Sequence, residues 1–230
     1  MKVERLYERA LINKVSEFYK ERREGLIQKY DWKINTDNLP FSSSKLNGKN
    51  LFENNLKLKR LLNKEFDNSS RNSEKMAIAI YYIYYWGGIH SNSSVKLEYY
   101  ATADIQEIIS LGKKGIASWS KALTARNCEK YAIFDARVSV SLNGIIYKEF
   151  GKSGYYFPLL SSRNETVKSF YGDIRRLIGR EQFLPSNTFY KFYIDIVHSV
   201  AKECHTTISE IEMCLFAFAE EVAQNTFKKK

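Results

Sequence analysis

Residues 105–142 read IQEIISLGKKGIASWSKALTARNCEKYAIFDARVSVSL, and the punctuation of this stretch decides the fold. A short helix, with Thr102 as its candidate cap, runs to Leu111. Gly112-Lys113-Lys114-Gly115 follows as a tight turn, and helical spacing resumes from Ile116 to about Arg126. Residues 127–134 read as a connector, and Asp135, a strong N-cap type, opens a helix to about Phe150. Glycine permits the backbone angles that so tight a turn needs. Such a turn before a helix points several N–H groups outward together and adds the positive end of the helix dipole. A phosphate fits there without any reading of base sequence, and Lys113 and Lys114 add Coulomb attraction.

The same helical spacing continues on both sides. Residues 3–30 read as one or two amphipathic helices with Leu6, Leu11, Val15, Phe18 and Leu26 near one stripe. Residues 31–49 are a polar loop, 51–66 a basic helix and 67–73 a polar break. Ser73 is expected to cap a helix to about Trp86, which Gly87-Gly88 ends, and residues 89–100, rich in Ser and Asn, read as extended. A Gly/aromatic loop spans 151–162. Helices follow over 165–178, 186–204 and 207–227, the last opening on a capping box of Thr207 and Glu210, before a basic tail at 228–230. With only Pro40, Pro158 and Pro185 as breakers, the expectation is an all-α chain of nine to eleven helices.

Composition bounds the function. A 230-residue chain with 44% hydrophobic and 14% aromatic residues buries a real core, as one large domain or two small halves sharing a cleft. Thirty-six Lys and Arg against 26 Asp and Glu leave a charge of +10, which favours nucleic acid as partner ahead of an acidic membrane. Cys128, Cys204 and Cys214 form no CxxC pair, which argues against a disulfide scaffold or an all-cysteine metal site and for a reducing, cytoplasmic setting. The charged first nine residues do not read as a signal peptide, and the longest apolar run, 76–86, has 11 residues, too short to span a bilayer. His90, His198 and His205 lack zinc-ligand spacing, and neither Gly-x-Ser-x-Gly nor Gly-x-x-x-x-Gly-Lys occurs, so no metal or cofactor is expected.

Two strings, Gly115-Ile116-Ala117-Ser118-Trp119 and Phe134-Asp135-Ala136-Arg137-Val138, together resemble the helix-hairpin-helix superfamily of DNA glycosylases. In that family the hairpin reads roughly Leu-Pro-Gly-Val/Ile-Gly-x-Lys/Trp, and an aspartate follows about 16 to 20 residues later in a motif like Val-Asp-Thr-His-Val. Here the separation from Trp119 to Asp135 is 16 residues, and the close match covers about 40 residues. Lys114 replaces the family proline and Ala117 the second glycine. Trp119 stands where some members carry a lysine that attacks the sugar and nicks the strand; members with Trp there, as in the inducible bacterial 3-methyladenine glycosylase, rely on the aspartate alone. Lys121, two positions on, is expected to point away. The resemblance implies a single two-lobed helical domain over 1–230, with the hairpin motif at 105–126 facing the DNA cleft, a catalytic helix at 135–150 and C-terminal helices at 165–227.

In that family the target nucleotide is flipped out of the duplex into a pocket between the lobes. The resemblance makes Asp135 the carboxylate that stabilises the oxocarbenium-like sugar and orients or deprotonates water; a plain N-cap is the other reading of the same residue. Lys113, Lys114, Gly115 and Ala117 become contacts to the DNA backbone, and Arg137 either a phosphate contact or an ion-pair partner. Tyr81, Tyr82, Tyr84, Tyr85 and Trp86 crowd one helix, and five aromatics in six positions cannot all face a core. Trp86, Tyr85, Trp119 and Phe216 are the candidate walls for a flipped base, with Tyr155, Tyr156, Phe157 and Phe218 behind them.

Compact bacterial proteins of 8-oxoguanine-glycosylase fold that lack the lysine and travel with antiviral defence systems resemble this chain most. The resemblance rests on the Tyr-Trp-Gly-Gly-Ile and Phe-Asp-Ala-Arg-Val strings and on overall size. It implies a monofunctional DNA glycosylase acting on double-stranded DNA with a modified base, either a hypermodified phage base or an ordinary damaged one. A catalytically inactive binding or sensing module of the same fold, and a defence accessory acting on a nucleotide or a protein, stand as alternatives.

Overall fold

A computed structural model describes residues 2–228, with side chains from residue 6; Met1, Lys229 and Lys230 lie outside the described residues. In chain order the α-helices are α1 (Lys2–Arg22), α2 (Leu26–Lys29), α3 (Leu51–Asn68), α4 (Asn72–Ile80), α5 (Ser94–Thr102), α6 (Ile105–Ser110), α7 (Ile116–Arg126), α8 (Ala136–Phe150), α9 (Glu165–Leu177), α10 (Phe189–Glu203), α11 (Ile208–Ala217) and α12 (Ala219–Thr226). The protein is all-helical among the described residues; its β character there is one bridge, Tyr156 to Phe183. The backbone forms two compact units, a central one over Tyr30–Ile133 and a terminal one from Met1–Lys29 with Phe134–Lys230.

The central unit holds α3 to α7. One stripe of α3, Leu58, Leu62 and Phe66, packs with Ile78, Tyr81, Tyr82 and Trp86 in one buried cluster. Each fully buried Leu of this kind contributes about 1.5–3 kcal/mol. From Tyr81 to Trp86 the helix begun by α4 widens into a π-helical turn, which carries one residue more per turn than the α form.

In the terminal unit α8 is buried along most of its length, polar positions included. Those polar groups tie it down. Ser139 Oγ donates to Pro158 O at 2.9 Å, and Asn143 exchanges two hydrogen bonds with the Phe157 backbone at 3.0 and 2.8 Å. Phe134, just before the helix, sits among Phe157, Phe189 and Tyr193 with ring centroids 5.1–5.7 Å apart. The start of α8 is thereby held from both sides of the chain.

Several sequence expectations are corrected. The Ser/Asn-rich stretch is not extended throughout: residues 94–102 are α5, capped by Ser93, because Leu97, Tyr100 and Ala101 are buried and that burial outweighs weak propensity. Asp104, not Thr102, caps α6, and its carboxylate accepts from the N–H groups of Gln106 and Glu107. Ser73 lies inside α4, which starts after Arg71 with Glu74 accepting from the Arg71 N–H at 3.2 Å. Leu6 is 65% exposed and lies off the buried stripe of α1. The Thr207 box is half made, since the Glu210 carboxylate turns to the Thr206 hydroxyl at 2.7 Å. The last helix breaks at Phe218, whose ring lies edge-on to Phe18, so the described helices number twelve.

Candidate functional site

The hairpin is built by two glycines with left-handed backbone, Gly112 at φ 57° and Gly115 at φ 73°. A side chain at Gly115 would be strained and would also put its Cβ 2.6 Å from the Tyr100 hydroxyl. Gly115 accepts the first helical bonds of α7, from the Ser118 and Trp119 N–H groups at 2.9 and 3.0 Å. No side chain caps α7. Among the described residues, the N–H groups of Gly115 and Ala117 have no acceptor. Gly115, Lys113 and Lys114 are exposed and Ala117 is half-buried. An uncapped helix start with two open N–H groups beside two exposed lysines offers donors and positive charge of the kind an anion accepts. Ala117 lies within α7, where alanine suits the backbone, and the positive φ angles of the turn fall on Gly112 and Gly115.

Trp119 is fully buried, and its indole N–H donates to Lys114 O at 3.1 Å. It braces the hairpin from inside. Trp86 is 7% exposed, and its indole N–H donates to Asn55 Oδ1 at 2.8 Å. Asn55 in turn donates to Trp32 O, and Trp32 donates to Trp86 O, closing a small network. Tyr85 is half-buried, stacked on Tyr81 with centroids 6.5 Å apart. In this aromatic run Tyr84 faces solvent, 39% exposed, with His90 edge-on at 3.9 Å. Sequence reasoning did not single out this pair, and its one signal was that five neighbouring aromatics cannot all turn inward.

Lys121 does point away from Trp119, but into the unit rather than to solvent. Its ammonium is buried, donates to Ala117 O at 2.7 Å and lies 5.9 Å from the Trp86 ring centroid. Gly87 makes room for it, because a Cβ there would stand 2.8 Å from Lys121 Cε.

In the terminal unit, Asp135 caps α8 with one oxygen. Oδ1 accepts from Arg137 N at 2.9 Å and Val138 N at 3.0 Å, while Oδ2 takes no hydrogen bond from the described residues. The carboxylate is half-buried. Nearby, the Tyr171 hydroxyl donates to Ala136 O at 2.8 Å, and burial first, the Asp135 charge to a lesser degree, raises that phenol above its usual range. Arg137 pairs with Glu220 at 3.0 Å and lies over the Phe216 ring, 4.8 Å from its centroid; Phe216 is itself buried at 8% exposure. Cys214 is no nucleophile, since burial pushes its thiol up to about 12.

Among the described residues no three His, Cys, Asp or Glu side chains gather closely enough to hold a metal ion, and no helix is long and apolar enough to cross a membrane. No protein-family model, curated protein or solved structure matches the chain.

Proposed function

We propose that this protein is a monofunctional DNA N-glycosylase with a two-lobed helix-hairpin-helix fold. In this reading α6, the hairpin and α7 grip a DNA strand, and Asp135 excises a modified base from a flipped nucleotide. The observation that carries it is the anchoring of Asp135: two backbone N–H groups fix Oδ1, which leaves Oδ2 for the sugar or for water. As the glycosidic bond breaks, the base leaves with the bonding electrons and takes up a proton. Oδ2 stabilises the cationic sugar and accepts a proton from the water that adds to C1′, then returns it to solvent, which balances the proton the departing base takes from solvent. Trp119, where a strand-nicking lysine would stand, leaves an intact abasic site as product. Hypermodified phage bases are the substrate class that the likeness to defence-linked proteins favours.

One observation supports a second reading, an inactive nucleic-acid sensor. Trp86 and Trp119, two of the proposed base walls, are taken up in packing and hydrogen bonds of the central unit. Incubation with genomic DNA of modified-base phages and with damaged plasmid decides between the two. The enzyme reading expects abasic sites and a freed base identified by mass spectrometry, both lost in Asp135→Asn. The sensor reading expects salt-dependent binding that Asp135→Asn leaves intact, and no abasic product.

A further inference from the structure

Along its outer face α3 carries Lys57, Arg60 and Lys64 at helical spacing, in a groove of about 540 Å³ closed on one side by Asn47 and Gly48. One carboxylate of α3, Glu53, also lines the groove, and each of the α3 carboxylates is engaged locally. Glu53 accepts from the Lys49 N–H at 2.8 Å and the Asn50 amide at 3.0 Å. Glu65 pairs with Lys45 at 3.2 Å, and Asp67 accepts from Asn63 at 3.1 Å. Lys57 donates to Asn47, a neutral partner. Arg60 and Lys64 are exposed and have no hydrogen bond or ion pair among the described residues. Three cations in a row against the one carboxylate of Glu53, which is itself taken up by the Lys49 N–H and the Asn50 amide, make a surface that attracts anions.

We infer that this groove is a second strand-binding surface, which takes the phosphodiester backbone of DNA independently of the hairpin. It rests on the nucleic-acid part of the function proposed above. From Lys57 to Lys64 the row rises seven helical steps, about 10 Å at 1.5 Å per residue. One DNA strand presents a charge about every 3.4 Å of its axis, so the row matches about three phosphates. Arg60 offers the fork that binds a phosphate through two N–H groups. Such a contact adds affinity and register but reads no base.

The test is fluorescence anisotropy of the full chain on an unmodified duplex across a salt series, with Lys57→Glu/Arg60→Glu/Lys64→Glu compared with wild type. Lys57→Gln/Arg60→Gln/Lys64→Gln serves as the milder set, and circular dichroism checks that both remain folded. The expected result is an affinity loss of tenfold or more for the Glu set, less for the Gln set, and a salt slope flatter by about 2–3. Unchanged affinity and slope overturn the inference. So does a wild type that ignores the duplex, or a groove whose variants lose only an acidic, leucine-rich peptide. Base release by wild type, measured in parallel, separates the two claims: no release with groove-dependent binding sinks the enzyme alone, and release with groove-independent binding sinks the groove alone.

Discussion

Two helices of this protein start in opposite ways. α7 opens on Gly115 with no side-chain cap and leaves the N–H groups of Gly115 and Ala117 without an acceptor among the described residues. α8 opens on Asp135, whose Oδ1 closes the N–H groups of Arg137 and Val138. Both carry the same positive dipole end. The first presents its donors uncapped. The second already holds its anion, and that anion keeps one oxygen over. On the function proposed above, a capped helix start is not merely a finished one, because the cap would itself be the reagent.

Asp135→Asn tests that claim most severely. Asn caps a helix about as well as Asp, so the melting temperature is expected to hold within the small spread between these two cap types. Base release is expected to fall by about 10²–10⁴-fold. Equal release rates would reduce Asp135 to a cap. The open start is next: Lys113→Glu/Lys114→Glu is expected to weaken duplex binding tenfold or more and to flatten the salt slope by about 2. An unchanged slope would mean that no phosphate sits there.

Gly115→Val separates the shape of that start from its charge. The left-handed angle alone costs a side chain about 1–2 kcal/mol, and the crowding against Tyr100 adds to it, which a denaturant midpoint reads. Full stability would show that another turn serves as well. The smallest effect belongs to Glu220→Gln, which releases Arg137 beside the capped start. The pair is partly exposed, so the stability loss is expected to stay under about 1 kcal/mol in thermal unfolding. A larger loss would make Arg137 part of what holds α8 in place.

Both helix starts were legible in the sequence, and for the same reason. Gly115 and Asp135 act on the backbone within three residues of themselves, so their effect survives whatever packs around them. The turn at Gly112 to Gly115 and the helices over 116–126 and 136–150 came out as read. What failed was set by distant partners. α5 forms from a Ser/Asn-rich stretch because its few apolar side chains find a core. Trp86 turns inward because Asn55, 31 residues away, accepts its N–H. Leu6 lies off the stripe although its spacing matched. A local signal places the carboxylate and the hairpin; the walls around a substrate depend on contacts that spacing does not encode.

The widened turn from Tyr81 to Trp86 has a consequence for how this chain tolerates change. An α-helix advances about 100° per residue. The additional residue in the wide turn therefore sets the phase of everything after it. Winding these six residues as an ordinary α-helix at unchanged length would swing Trp86 by roughly that angle, away from its amide partner in α3. Gly87, which leaves space for a buried ammonium, would rotate with it. In these six positions the winding of the backbone decides the direction of the side chains that follow.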